Sequence, residues 1–158
     1  LEVLFNNGRE TDAIELMRRY YGRWLDEGAT TFGEHFRTAP TAPGPSSTPS
    51  MSGAALDFEY EVHGYGTSAH PHFYQNILGV RPAEPGFKKI LFAPHPGDLA
   101  WAKGRVSTVA GPVEVSWKQR DTTLELELRL PETCNYEIRL PERFRTVLLK
   151  VNNKTMPY

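Results

Sequence analysis

The chain contains one cysteine, Cys134, so no internal disulfide can staple it. That residue lies between Thr133 and Asn135 in a turn-like stretch, away from any His or Cys at metal-ligand spacing, and it reads as incidental. Surplus charge is also lacking. The 18 Lys+Arg stand against 19 Asp+Glu, a net charge of −1. Binding to a phosphate backbone or an anionic membrane needs a basic footprint, so nucleic acid and lipid are poor candidate partners. No segment approaches the roughly 18 consecutive apolar residues of a membrane span, and none of this fixes a compartment. The 39% hydrophobic and 11% aromatic content is that of a folded chain. Its 158 residues suffice for one ordinary domain, or for a small β domain plus a fragment of another.

The hydrophobic pattern changes period along the chain. Leu1, Val3, Leu4 and Phe5, followed by Asn6-Asn7-Gly8, read as the last turn of a buried helix with its glycine stop, which implies a parent protein extending upstream. Thr11 is the expected cap of a second helix. Ala13, Ile14, Met17, Tyr21, Trp24 and Leu25 recur on one helical face, and Gly28 ends it. Such a helix pair cannot bury its apolar faces alone and belongs to a larger helical array. Residues 37–53 carry four prolines among small polar residues and read as a loop. Asp57, Phe58, Glu59, Tyr60 and Glu61 then read as an extended or edge segment leading to His63. Thr67 or Ser68 is the expected cap of a short helix with Phe73, Tyr74, Ile77 and Leu78 on its apolar stripe and Gly79 as its stop.

Beyond Val80 the period becomes two. Val113, Val115 and Trp117 alternate with polar residues, as do Leu124, Leu126, Leu128 and Leu130, and then Tyr136, Ile138 and Leu140. With further strands expected at 89–92, 101–108 and 146–151, the pattern predicts an antiparallel β-sandwich. Trp24 and Trp117 fall at core positions. Trp101 follows the loop 94–99 and is the better placed of the three to stand as a sugar platform. His70 and His72 are two apart and point to nearly opposite sides of a helix, so a shared metal ion is not expected.

Several stretches, in this order, resemble the C-terminal third of glycoside hydrolase family 78, the α-L-rhamnosidases. Gly28-Ala29-Thr30-Thr31-Phe32-Gly33-Glu34 is similar to the family's stretch ending Phe-Trp-Glu, with Gly33 where the family has Trp. Val62-His63-Gly64-Tyr65-Gly66-Thr67-Ser68-Ala69 is similar to its His-Gly-Trp-Ser-Ala stretch. Leu78 to Pro82, Pro85 to Phe87, Gly104 to Thr108 and Val113 to Trp117 resemble the join into the terminal β domain.

The resemblance implies a mainly β fold with N-terminal helices. Residues 1–79 would be the last helices of an (α/α)6 barrel and residues 80–158 the β-sandwich beside it. It implies an inverting hydrolase acting on terminal α-L-rhamnosyl or related residues, with no cofactor or metal. An upstream acid would protonate the leaving oxygen while a second carboxylate activates water from the opposite face, the two about 6.5–9.5 Å apart. By motif match Glu34 is that second carboxylate, His63 contacts the sugar, and Tyr65 takes the place of the family's Trp. The partners implied are a carbohydrate substrate and the rest of the barrel, and a chain cut off from that barrel would be prone to self-association. By residue chemistry alone Glu34 is an ordinary solvated carboxylate and His63 is equally a structural turn histidine. A non-catalytic carbohydrate-binding or structural β-sandwich is the alternative reading of the whole.

Overall fold

Alternation of apolar and charged side chains puts one face of the strands over 113–117 and 124–128 in the core. A computed structural model describes residues 1–26, 28–32 and 64–158. Its strands are β1 (Val80–Pro82), β2 (Lys89–Phe92), β3 (Trp101–Thr108), β4 (Gly111–Arg120), β5 (Thr123–Arg129), β6 (Asn135–Ile138), β7 (Thr146–Val151) and β8 (Lys154–Met156). They form a three-stranded sheet ordered β1-β2-β6 and a five-stranded sheet ordered β3-β4-β5-β7-β8. Val113, Val115, Trp117, Leu124, Leu126 and Leu128 bury completely between the layers, with Ile90 and Phe92 opposite.

The mostly β architecture with N-terminal helices is as the pattern predicts, but the pairing is not antiparallel throughout. β2 pairs β6 in parallel, Ile90 opposite Tyr136, and β5 pairs β7 in parallel, Leu126 opposite Leu149. The connection between β5 and β7 gives the reason. The chain leaves β5 through a turn closed by the Cys134 N–H on the Pro131 carbonyl, runs β6 in the other sheet, and returns through a second turn closed by Phe144 on Pro141. A return leg in the opposite layer brings β7 in beside β5 in the same direction.

The helices are α1 (Glu2–Asn6), α2 (Glu10–Met17), α3 (Arg23–Asp26) and α4 (His70–His72). A π turn, Arg18–Gly22, joins α2 to α3, and another, Phe73–Ile77, continues α4. Neither expected cap forms. Arg9 occupies the N-cap of α2 and Ala69 that of α4, each without a side-chain cap bond. The Thr67 hydroxyl instead donates to the Gly64 carbonyl inside a tight 3₁₀ turn, Gly64–Ala69. No helix among the described residues is long and apolar enough to cross a membrane.

Helices and sandwich share one core, since Phe5, Ala13, Ile14 and Met17 pack into the same cluster as the strand residues. Polar contacts lock the join. The last carbonyls of a helix have no partner within it, and here the β part supplies the donors. Arg81 Nε reaches the Gln75 carbonyl at 2.9 Å, the His95 N–H the Asn76 carbonyl at 2.8 Å, and Trp117 Nε1 the Ile77 carbonyl at 2.9 Å. Gly79 then turns the chain at φ +82, with Pro94 so close that a Cβ there would lie 2.6 Å from its Cα. Only glycine meets both demands without strain. On the other side of the helices, Arg18 pairs with Asp98 at 2.6 Å, which draws the Asp98 carboxyl below its ordinary range, and Gly97 lets the loop close onto Ile14.

Candidate functional site

Tyr21, in the π turn after α2, projects where two chain segments converge. Its ring meets Trp24 edge-on at 5.7 Å and Phe32 at 5.9 Å, and Trp24 and Phe32 are themselves 5.9 Å apart. Its hydroxyl lies 2.8 Å from the Ser68 hydroxyl in the 3₁₀ turn. Phe32, Gly64, Thr67, Ser68, His70, Pro71 and Tyr74 wall an open cavity of about 570 Å³. A π turn inserts one residue into the helical register and re-aims the side chains that follow, which is why such turns recur at functional sites.

Glu34 and His63, the two motif residues with assigned chemistry, lie outside the described residues, as do the segments 37–53 and 57–61. The backbone of Tyr65 belongs to the 3₁₀ turn, while its side chain is outside the description. The structure therefore brings together the residues flanking the predicted site: Phe32, two positions before Glu34, and Gly64, one position after His63. The aromatic trio and the Tyr21–Ser68 contact were not singled out as a unit in the sequence. Tyr21 and Trp24 read there simply as core, and an i, i+3 spacing gives no hint of a contact with Phe32.

A second cleft, about 480 Å³, runs between α2, its π turn and β3, walled by Ile14, Met17, Leu25, Phe73, Leu99 and Trp101 with Arg18 and Lys103 at its rim. The described residues that wall it are mostly apolar. Trp101 is 64% exposed at its edge, whereas Trp24 and Trp117 are buried, in agreement with their core positions.

Two of the described histidines, His72 and His95, sit at the join. His72 stacks on Phe5 at 5.5 Å and its Nδ1 lies 2.7 Å from the Asn76 amide, which also pairs with Arg81, while His95 meets Phe5 edge-on at 6.0 Å. His70 meets Phe73 and Tyr74 edge-on. Burial pushes the pKa of both His72 and His95 down from 6.5, with the Arg81 charge adding to the effect at His95. The fold thus favours their neutral forms. As pH falls through 6.5 the unfolded chain takes up protons first, so this share of stability is whole above that value, shrinks below it, and levels off once the folded form also protonates. The carboxylates drawn down by partners, Asp98 and Glu137, lose their contribution only in a more acid range. Urea midpoints should therefore drop between about pH 7 and about pH 5, and His95→Phe should flatten that slope. An unchanged slope in the variant would remove His95 as the cause.

Residues 79–154 match the family model for the bacterial alpha-L-rhamnosidase C-terminal domain. Among solved structures, the GH78 family rhamnosidase of Bacillus sp. GL1 superposes with a TM-score of 0.68 and 30% identity over 92% of this chain and 15% of that one. The chain matches the C-terminal part of a family 78 α-L-rhamnosidase. The rhamnosidase of Streptomyces avermitilis, solved with L-rhamnose, gives a TM-score of 0.66 and 25% identity over 87% of this chain and 13% of that one. A curated rhamnosidase from Alteromonas sp. is 29% identical over 99% of this chain and 16% of its own length. The chain spans 13–16% of the length of the curated rhamnosidases it matches. Both the helical N-terminal residues and the sandwich lie within the rhamnosidase match, which covers nearly the whole chain.

Proposed function

We propose that the chain is the C-terminal portion of an inverting glycoside hydrolase that removes terminal α-L-rhamnosyl or related residues. Residues 1–79 complete the catalytic (α/α)6 barrel and residues 80–158 form the sandwich that braces it. Glu34 acts as general base on the attacking water, His63 holds a sugar hydroxyl, and the Tyr65 ring packs on the sugar's apolar face. The general acid comes from an upstream barrel helix. The observation that carries this reading is that Phe32, two positions before Glu34, and Gly64, one position after His63, wall one cavity.

Inversion needs both carboxylates, so the 158-residue chain alone should leave an aryl α-L-rhamnoside intact, while the full-length protein hydrolyses it and first releases the anomer of opposite configuration by proton NMR. The chain alone should also self-associate, because Leu25 and Trp101 stay exposed at 73% and 64% beside the apolar cleft where the rest of the barrel rests. Hydrolysis by the chain alone, or retention of configuration by the whole protein, would overturn the assignment of roles. A full-length protein that binds the sugar without cleaving it would leave a binding module.

A further inference from the structure

We infer that Arg81, Asn76 and His72 form a proton-sensitive latch on the join between helices and sandwich, closed while His72 is neutral and opened when it takes up a proton. The sugar site plays no part in it. Arg81 carries only donors, and two are committed, Nε to the Gln75 carbonyl at 2.9 Å and Nη2 to the side-chain oxygen of Asn76. That oxygen must therefore accept, which turns the Asn76 NH2 toward His72 Nδ1, 2.7 Å away. A donor at that distance needs a lone pair opposite it. His72 in the closed latch is thus the tautomer with its proton on Nε2.

Protonation leaves this chain of bonds with no consistent arrangement. With a proton on Nδ1, His72 faces the Asn76 NH2 donor to donor. Turning the amide over brings its oxygen to His72 but sets the NH2 against Arg81, so the mismatch moves and does not vanish. Water has little access to relieve it, because Asn76 is 4% exposed. The partners must separate. The Asn76 carbonyl accepts from the His95 N–H at 2.8 Å, and the His72 ring stacks on Phe5 of α1 at 5.5 Å. Separation at one side chain therefore loosens α1, the Phe73–Ile77 turn and their hold on the strands together. Among the charges facing His72, Glu2 on α1 favours its protonation, while the Leu1 amino group and Arg81 on β1 oppose it. Glu10 on α2 and Arg81 act in the same opposed senses on His95 in the neighbouring loop.

Two measurements on the 158-residue chain test the latch. In a sample labelled with 15N-histidine at about pH 7.5, the His72 ring should carry its proton on Nε2, and an Nδ1–H ring would overturn the inference. The second measurement is hydrogen exchange by mass spectrometry in a His95→Phe background, which removes the other titrating ring from the join and keeps its backbone N–H. Between about pH 7.5 and about pH 5, protection over residues 73–78 and 93–97 should fall roughly 5–150-fold, the worth of one mismatched buried hydrogen bond, while β4 and β5 keep theirs. Asn76→Asp puts an acceptor on both sides of the centre. Its carboxylate takes bonds from Arg81 and from protonated His72, so the acid-induced loss should disappear. His72→Phe keeps a ring against Phe5 but cannot titrate, and it should also abolish the pH dependence. Protection at the join that does not change with pH, a loss that persists in His72→Phe, or one that spreads evenly over β4 and β5 overturns the latch, whether or not Asn76→Asp folds.

Discussion

Glu34→Gln in the full-length protein is expected to lower turnover by roughly 10²–10⁴-fold while changing substrate affinity far less. Glutamine keeps the size and hydrogen-bonding reach of glutamate but cannot take a proton from the attacking water, so the loss falls on the chemical step. On the proposed reading His63 holds a sugar hydroxyl, so His63→Ala is expected to behave differently, weakening binding and rate together. Rate and KM measured side by side for the two variants separate base from binder. Near-normal turnover in Glu34→Gln would move the base to another residue.

Trp117→Ala should cost about 3–5 kcal/mol of the chain's stability, the usual range for emptying a buried aromatic position. Trp117 is 1% exposed between the sheets, and its indole N–H is the donor to the Ile77 carbonyl. Truncation removes the ring and leaves that carbonyl without this partner in the core, so the two penalties act together. Trp101→Ala is the control, since its side chain stands mostly in solvent and the change should stay within about 0.5 kcal/mol. Urea denaturation of the three proteins decides the matter. A loss below about 1 kcal/mol for Trp117→Ala would mean that the core collapses around the vacancy.

The strands were legible because alternation reports directly on burial. The ranges 89–92, 101–108 and 146–151 coincide with β2, β3 and β7. Strand direction was not legible. A pattern of inward Leu124, Leu126 and Leu128 states which face is buried and nothing about whether the neighbour runs the same way, so the parallel pairing of β5 with β7 had to come from the path of the chain through the other sheet. β8 escaped for a related reason: Lys154, Thr155 and Met156 are all exposed and leave no alternation. The Asn152-Asn153 pair that turns into it, both at positive φ, is a signal the sequence did offer. The helix caps failed because Thr11 and Ser68 have the right chemistry one or two places from the true helix ends, and Ser68 is held by Tyr21 instead. Of the site, Glu34, His63 and Tyr65 were named by resemblance, and the side chains of all three lie outside the described residues. The contact of Tyr21 with Phe32 was not legible, since the two are close in space through a π turn that no periodicity encodes.

The three carbonyls at the end of the Phe73–Ile77 turn bear on how this chain can be recombined with others. Residue 79 looks like a natural seam, with helices before it and strands after. Yet Gln75, Asn76 and Ile77 accept their bonds from Arg81, His95 and Trp117, up to 40 positions downstream. A chimera that takes the helices before residue 79 from this chain and the strands after it from another keeps these acceptors but not their donors. The heritable module is therefore the helix end together with β1, the 93–100 loop and β4, and a crossover preserves the joint only if it falls upstream of Phe73 or carries all three donors along.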